Sequence, residues 1–279
     1  MTDSAVPRAL AIAGSDSGGG AGVQADLRAF ARCGVHGMTA ITAITAQSTV
    51  AVDAVEPVSG EMIVAQVRAV VDDIGVDAVK IGMLATAEVV DAVDRALDLL
   101  PEGVAIVLDP VMVAESGASL LDEDARDALI GRLLPRATVV TPNLPEAAAL
   151  AASADPDAAG PPDRRADAES LGRAVLALGP SAVVVTGGHR AEAVDLYLDA
   201  ETLETIGGQR HPDGGAHGSG CTHSSCLAAL LARGLEPVAA ARGARALAGA
   251  AVRDGLRGIG AGSGPVDVLG LAGMPPSWA

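Results

Sequence analysis

His217-Gly218-Ser219-Gly220-Cys221-Thr222 places a thiol and two glycines just before an Ala/Leu run of helical composition. The first amides of a helix have no intrahelical partner and point outward. Glycines there let an anion such as a phosphate reach them, and the same field favours a thiolate at Cys221. The segment offers an anion hole and a candidate base. In the plainer reading Ser219 caps a helix and Cys221 is an inert core thiol. His217 and His223 stand close to a loop and carry no metal assignment.

Other residue types suit a small-molecule site. Ala13 to Asp26 reads A-G-S-D-S-G-G-G-A-G-V-Q-A-D; glycines between a strand and a helix let the backbone approach a ligand. Gly20-x-Gly22-x-x-Ala25 loosely fits a dinucleotide fingerprint with Asp53 as its acid, and a tight turn explains the glycines equally. Asp26 fits the first turn of a helix, where the macrodipole favours an acid. The Gln47 amide offers a donor and an acceptor, which suits a heterocycle bearing a ring nitrogen and an amino group. Met83, in K-I-G-M-L, supplies a soft apolar surface. Asp109 and Glu146 suit Mg²⁺, which takes one or two carboxylates together with phosphate. Glu146, following Pro145, also fits a helix N-terminal charge.

Composition narrows the setting for these residues. The 279-residue chain is 49% apolar, enough for a sizeable core, yet Phe30, Tyr197 and Trp278 are its only aromatics. Stacking platforms for single-stranded nucleic acid are absent. A formal net charge of −16 makes nucleic acid and anionic membranes poor partners. Lys80 is the only lysine, which excludes a Walker A loop and a protein-kinase motif set. Three cysteines without regular spacing give no disulfide framework. No secretion signal or membrane-length apolar run is evident, so a soluble cytoplasmic protein is expected.

Apolar runs at 8–13, 38–44, 76–81, 104–108, 137–141 and 182–186 read as strands. Helical patterns fall at 22–33, 60–73, 86–100, 122–133 and 168–178. A hairpin at 193–198 and 202–206 and two helices near 220–233 and 236–254 complete the chain. The Pro/Asp/Arg-rich 154–167 segment reads as a loop. Alternation of this kind predicts a single α/β domain over 1–279, with a mostly parallel sheet and helices on both faces. Ligands of such sheets bind beyond the carboxyl ends of the strands, where Gly14, Gln47, Gly82, Asp109, Asn143 and Thr186 all fall.

Taken in order, A-G-S-D-S-G-G-G-A-G-V-Q-A-D-L, I-T-A-Q-S-T, K-I-G-M-L, L-D-P-V-M, T-P-N-L-P-E-A, G-G-H and H-G-S-G-C-T resemble the hydroxymethylpyrimidine/phosphomethylpyrimidine kinases of thiamine biosynthesis, in the ribokinase-like superfamily. The resemblance implies a three-layer sandwich with a sheet of about eight strands, usually as a homodimer. It implies ATP and Mg²⁺, with an aminopyrimidine alcohol, 4-amino-5-hydroxymethyl-2-methylpyrimidine, phosphorylated first to its monophosphate and then to the diphosphate. Carried over by motif, Gly14, Asp26, Gln47, Met83 and Val111 would contact the pyrimidine. Asn143, Thr186 and Gly187 would serve the ATP phosphates, and Asp109 and Glu146 the metal. Gly218, Ser219 and Gly220 would form the anion hole beside Cys221 as base.

The chain departs from its relatives in three places. Thr186 stands where many carry Lys, with Arg190 or Mg²⁺ as candidate compensation. The first loop has Ser17-Gly18-Gly19-Gly20 in place of Pro-Ser-Gly-Gly. The approach to His217, Pro212 to Ala216, is looser than the usual Asn/Thr-rich segment. Pyridoxal or another ring alcohol is the alternative substrate. A dinucleotide oxidoreductase and a non-catalytic pyrimidine sensor are the readings from other classes.

Overall fold

Alternation along the first strand divides the protein into two cores. In β1 (Arg8–Ser15) the side chains of Ala9, Ala11 and Ala13 face one helical layer, and those of Leu10 and Ile12 face the other. The computed structural model describes residues 6–113, 117, 120–154, 165–187 and 193–274. After β1 come α1 (Gly22–Arg32), β2 (His36–Gln47), β3 (Val52–Pro57), α2 (Gly60–Asp73), β4 (Ala78–Ile81), α3 (Ala87–Leu97) and β5 (Ala105–Leu108). Next are α4 (Glu123–Ala128), β6 (Val139–Val140), α5 (Leu144–Ala154), α6 (Arg165–Leu176), β7 (Ala182–Val185), β8 (Asp195–Asp199), β9 (Leu203–Ile206), α7 (Ser219–Ala232) and α8 (Pro237–Arg253).

The nine strands form one sheet in the order β3-β2-β1-β4-β5-β6-β7-β8-β9. The six strands from β2 to β7 run parallel, while β3, β8 and β9 are antiparallel additions at the two edges. Helices α2, α3, α5 and α6 bury Ile63, Val67, Val90, Val93, Leu150 and Val175 against one face. On the other face α1, α7 and α8 pack Phe30, Leu227 and Ala244 over the small side chains of β1. Alanines there leave room for α1 and α7 to lie close to the sheet.

The sheet has one strand more than the expected eight. The missed strand, β3, carries V-D-A-V-E-P and is largely exposed, so it lacks the apolar run that marked the others. The expected helix at 122–133 ends as α4 at Ala128 and continues as a π-turn over Leu129–Leu133. Most of the expected 154–167 loop lies outside the described residues. The chain leaves β1 toward β2 on one side and returns to β4 on the other. This reversal of strand order opens a crevice at the strand ends, the place where such sheets bind ligands.

Candidate active site

A cavity of about 920 Å³ occupies that crevice. Gly14, Gln47, Met83, Asp109, Val111, Asn143, Glu146, Thr186 and all of Gly218 to Cys221 line it. Of the residues carried over by motif, only Asp26 and Gly187 are off its wall. The Gly187 amide donates to Asp195 Oδ1 at 2.9 Å, and a Cβ there would meet the Val194 carbonyl oxygen at 1.9 Å. Arg190 lies outside the described residues.

Asp26 requires a correction. It is one turn inside α1, on the buried face with Val23 and Phe30, so it is not the first-turn charge of the sequence reading, and it is off the cavity wall. Its Oδ1 accepts from Lys80 Nζ at 2.9 Å and from Ser225 Oγ at 2.7 Å, with both ionic side chains fully buried. Burial alone would push the Lys80 ammonium down, but the charges of Asp26, Cys221 and Asp109 outweigh it and hold Lys80 above the ordinary lysine range. Burial pushes Asp26 upward against the pull of Lys80 and Ser225. With an ammonium at hydrogen-bond distance, the pair is ionic. Lys80 itself lines the cavity, so the fold brings the single lysine to a site whose other parts carry none.

Two glycine-rich segments pack on each other where the sequence places its candidate anion hole. Gly218 is the N-cap of α7 in the left-handed region, φ 80°, and a Cβ on it would meet the Gly20 carbonyl oxygen at 1.8 Å. A Cβ on Gly20 would strike the His217 ring at 2.0 Å, and one on Gly22 would strike the Gly14 carbonyl oxygen at 2.4 Å. The first-loop glycines therefore serve close backbone packing. Asp53, the acid of the dinucleotide reading, lies exposed on β3, and that reading fails. The N-cap is Gly218, and Ser219 is the first residue of the helix, so the plainer reading of Ser219 as cap fails. An added Cβ on Gly220 meets nothing within 4 Å, so that position is open toward the cavity.

Buried Asp16 holds this arrangement together. Its carboxylate accepts from the amides of Gly18, Gly20 and Ala21 at 2.8, 3.0 and 2.8 Å, and meets His217 Nε2 at 2.9 Å. Burial pushes Asp16 up, but His217 and the amides more than offset it and pull it below the usual carboxylate range. The sequence alone assigns no role to Asp16 or to His217.

Cys221 behaves differently from the sequence expectation. It borders the cavity, but burial pushes its thiol up to about 12, opposed by Lys80 and by the Gly22 amide, with Asp26 and Asp109 adding to the rise. The helix N-terminus does not produce a thiolate in the ligand-free protein. Glu146 forms a reciprocal cap with Asn143. Its carboxylate accepts from the Asn143 amide at 2.9 Å, and its own amide donates to Asn143 Oδ1 at 2.9 Å. Glu146 thus stands in the first turn of α5, where the sequence places it, and it also lines the cavity. Burial and then Asp109 push Glu146 up to about 8. Asp109, buried and accepting from Ser224 Oγ at 2.9 Å, is likewise raised, by burial.

Two buried carboxylates, Glu146 raised in part by Asp109, and a buried Thr141 hydroxyl without a partner, all lining the cavity, are hard oxygen donors short of a cation. They fit Mg²⁺ arriving with phosphate. No three His, Cys, Asp or Glu side chains among the described residues gather into a cage of their own. On the Thr186 side, Asp195 Oδ2 lies 3.2 Å from His223 Nε2 and 3.8 Å from Arg245 Nε. Burial pushes Asp195 up, and His223, Arg245 and the Gly187 amide pull it back below its ordinary value. His223, Asp195 and Arg245 all line the cavity. An arginine in α8 was not visible as a site residue in the sequence.

No helix among the described residues is long and apolar enough to cross a membrane. The family model for phosphomethylpyrimidine kinase matches residues 16–267. A hydroxymethylpyrimidine/phosphomethylpyrimidine kinase of Rhizobium meliloti (strain 1021) is 47% identical over 261 residues, covering 92% of this chain and 95% of its own. One from Synechococcus elongatus is 43% identical over 265 residues, covering 94% and 97%. Among solved structures, an ADP complex of Bacillus subtilis pyridoxal kinase superposes with a TM-score of 0.85 at 34% identity, over 97% of this chain and 100% of its own. Phosphomethylpyrimidine kinase from Clostridium difficile 630 superposes with a TM-score of 0.74 at 38% identity, over 86% and 96%. Sheet order, strand-end cavity and sequence agree: this chain belongs to the phosphomethylpyrimidine kinase family.

Proposed function

We propose that the chain transfers the γ-phosphoryl group of ATP to the hydroxymethyl group of 4-amino-5-hydroxymethyl-2-methylpyrimidine, and then a second phosphoryl group to the monophosphate, for thiamine biosynthesis. The observation that carries this is the glycine-lined anion seat at Gly218–Gly220, open to a cavity that also holds Gln47 and the Asp109–Glu146 pair. A relative's structure, a Staphylococcus aureus pyridoxal kinase, contains AMP-PCP and pyridoxal together, which supports ATP as co-substrate.

Gln47, the Gly14 backbone, Met83 and Val111 hold the pyrimidine. Asn143 and Thr186 face the nucleotide phosphates, and Arg245 supplies the positive charge that Thr186 lacks. Asp109 and Glu146 hold Mg²⁺, which when bound draws charge from the transferring phosphoryl oxygens. Phosphoryl transfer has a loose transition state, so fixed donors and charge contribute more than strong deprotonation. The amides of Gly218 to Cys221 and the Lys80 ammonium stabilise the charge that develops. Cys221, mostly a thiol in the free protein, takes the hydroxymethyl proton as the hydroxyl attacks only after its own proton has left to solvent, so its contribution is modest. The protein acts in the cytoplasm as a homodimer, a reading supported by the apolar Ile44, Val50 and Val55 exposed around the β2–β3 edge.

A panel of ring alcohols with ATP and Mg²⁺ tests the substrate. The aminopyrimidine alcohol should exceed pyridoxal in kcat/KM by at least about 100-fold, the discrimination a site gains when its buried hydrogen-bonding groups find or lose partners. Preference for pyridoxal would replace this reading with its alternative.

A further inference from the structure

Thr45 and Gln47 are two residues apart on β2, so their side chains leave the same face of the strand. The register shift between Ala46 and Gln47 passes over Asp53 on β3 and sets Gln47 opposite Val52 at the end of β2. Its main chain is held from the first loop: Ser17 Oγ donates to the Gln47 carbonyl oxygen at 2.7 Å and accepts from the Gln47 amide at 2.8 Å. With the backbone fixed, the recognition edge of Gln47 depends on which way its terminal amide is turned.

The Thr45 hydroxyl decides that. Thr45 is buried, and its Oγ1 lies 2.8 Å from the Ser15 carbonyl oxygen and 3.2 Å from the terminal oxygen of Gln47. A carbonyl only accepts, so the single hydroxyl proton goes to Ser15. Toward Gln47 the hydroxyl presents lone pairs. A Gln oxygen in that place would face a second acceptor with no proton between them. A half-turn of the amide puts Nε2 there as a donor, and assignment of the two atoms follows the hydrogen-bond network.

We propose that Thr45 is a specificity-determining positioning residue: with its proton committed to Ser15, it turns the Gln47 amide so that Oε1 and the remaining N–H face the cavity as an acceptor beside a donor. That edge is complementary to a ring carrying an exocyclic amino group next to a ring nitrogen, and it opposes a pyridine that presents a phenolate. The substrate half of the proposal rests on the function proposed above; the orientation of the amide does not.

Two measurements separate them. In ligand-free protein, one Gln47 side-chain N–H should exchange with water at least about tenfold more slowly than the other, because it is bonded to Thr45. The difference should persist in T45S and vanish in T45V. Two equal, fast-exchanging protons in the wild type overturn the proposed orientation, whatever the protein phosphorylates. In kinetics, T45V should raise KM for the aminopyrimidine alcohol about tenfold, the equivalent of one lost neutral hydrogen bond. KM for ATP and kcat should stay within about twofold, and T45S should match the wild type. An unchanged pyrimidine KM in T45V overturns the specificity role. Wild type inactive on the aminopyrimidine overturns the function and with it the specificity role, while the exchange rates still decide the orientation.

Discussion

His217 Nε2 lies 2.9 Å from Asp16 Oδ2, joining residues 201 positions apart in the chain. The contact locks the first glycine loop to the segment that opens α7, so the shape of the anion seat depends on both ends of the sequence. Asp16→Ala would leave three loop amides and His217 without their acceptor. It should lower stability by about 3 kcal/mol or more and turnover by at least about 100-fold, read by thermal unfolding and steady-state rates. Because Asp16 is held below the usual carboxylate range, its stabilisation is present above about pH 4 and is lost as the pH falls further.

Cys221 should be a poor nucleophile in the free enzyme. With the thiol pushed up to about 12, on the order of one molecule in 10⁴ carries the thiolate at pH 8. Site-resolved alkylation by iodoacetamide should therefore modify Cys33, whose thiol is lowered chiefly by its hydrogen bond to Cys226, well before Cys221. The Cys221 rate should still be climbing at pH 10. Cys221→Ala should lose about 10- to 100-fold in kcat, as expected of a general base, and Gly220→Val, which fills the anion seat, should lose more.

In the proposed site Glu146 would make metal binding pH-dependent. Its carboxyl, pushed up to about 8, is largely protonated at pH 7 and must lose that proton to hold Mg²⁺. Affinity for Mg²⁺ with ATP should rise from pH 6.5 to 8.5, and calorimetry in buffers of different ionisation enthalpy should show close to one proton released at pH 7. The ligand-free protein should behave oppositely. Between about pH 5 and 8 the folded state binds this proton and the unfolded state does not, so stability falls as the pH rises. Glu146→Gln should flatten that trend, raise Tm by a few degrees at pH 8, and weaken Mg²⁺ binding about 10- to 100-fold.

Arg245 should carry the charge that many relatives place at position 186. Arg245→Ala is expected to raise KM for ATP about tenfold or more, the loss of one charge-assisted hydrogen bond. Thr186→Lys in that background should recover most of it. An unchanged KM for ATP in Arg245→Ala would remove the arginine from the nucleotide site.

The strand-end residues were legible because strand periodicity locates Gly14, Gln47, Asp109 and Asn143 without knowledge of their neighbours. The long-range partners were not. Lys80 in an apolar strand and Asp26 on the apolar face of α1 each signal a buried charge that needs a counter-ion, yet nothing in the sequence says that they pair across 54 positions. The protonation of Cys221 was misjudged for a related reason. The helix N-terminus is a local feature visible in the sequence, whereas the burial that outweighs it arises only when α7 packs on α1 and the sheet. Strand β3 was missed because an exposed edge needs no apolar run.

The most direct test is mass-resolved product analysis with purified protein, ATP, Mg²⁺ and 4-amino-5-hydroxymethyl-2-methylpyrimidine, beside Gly220→Val. Wild type should yield the monophosphate first and then the diphosphate, and Gly220→Val should lose both steps together because one anion seat serves both. No phosphorylated pyrimidine from the wild type, or a Gly220→Val variant that retains either step, would contradict the account.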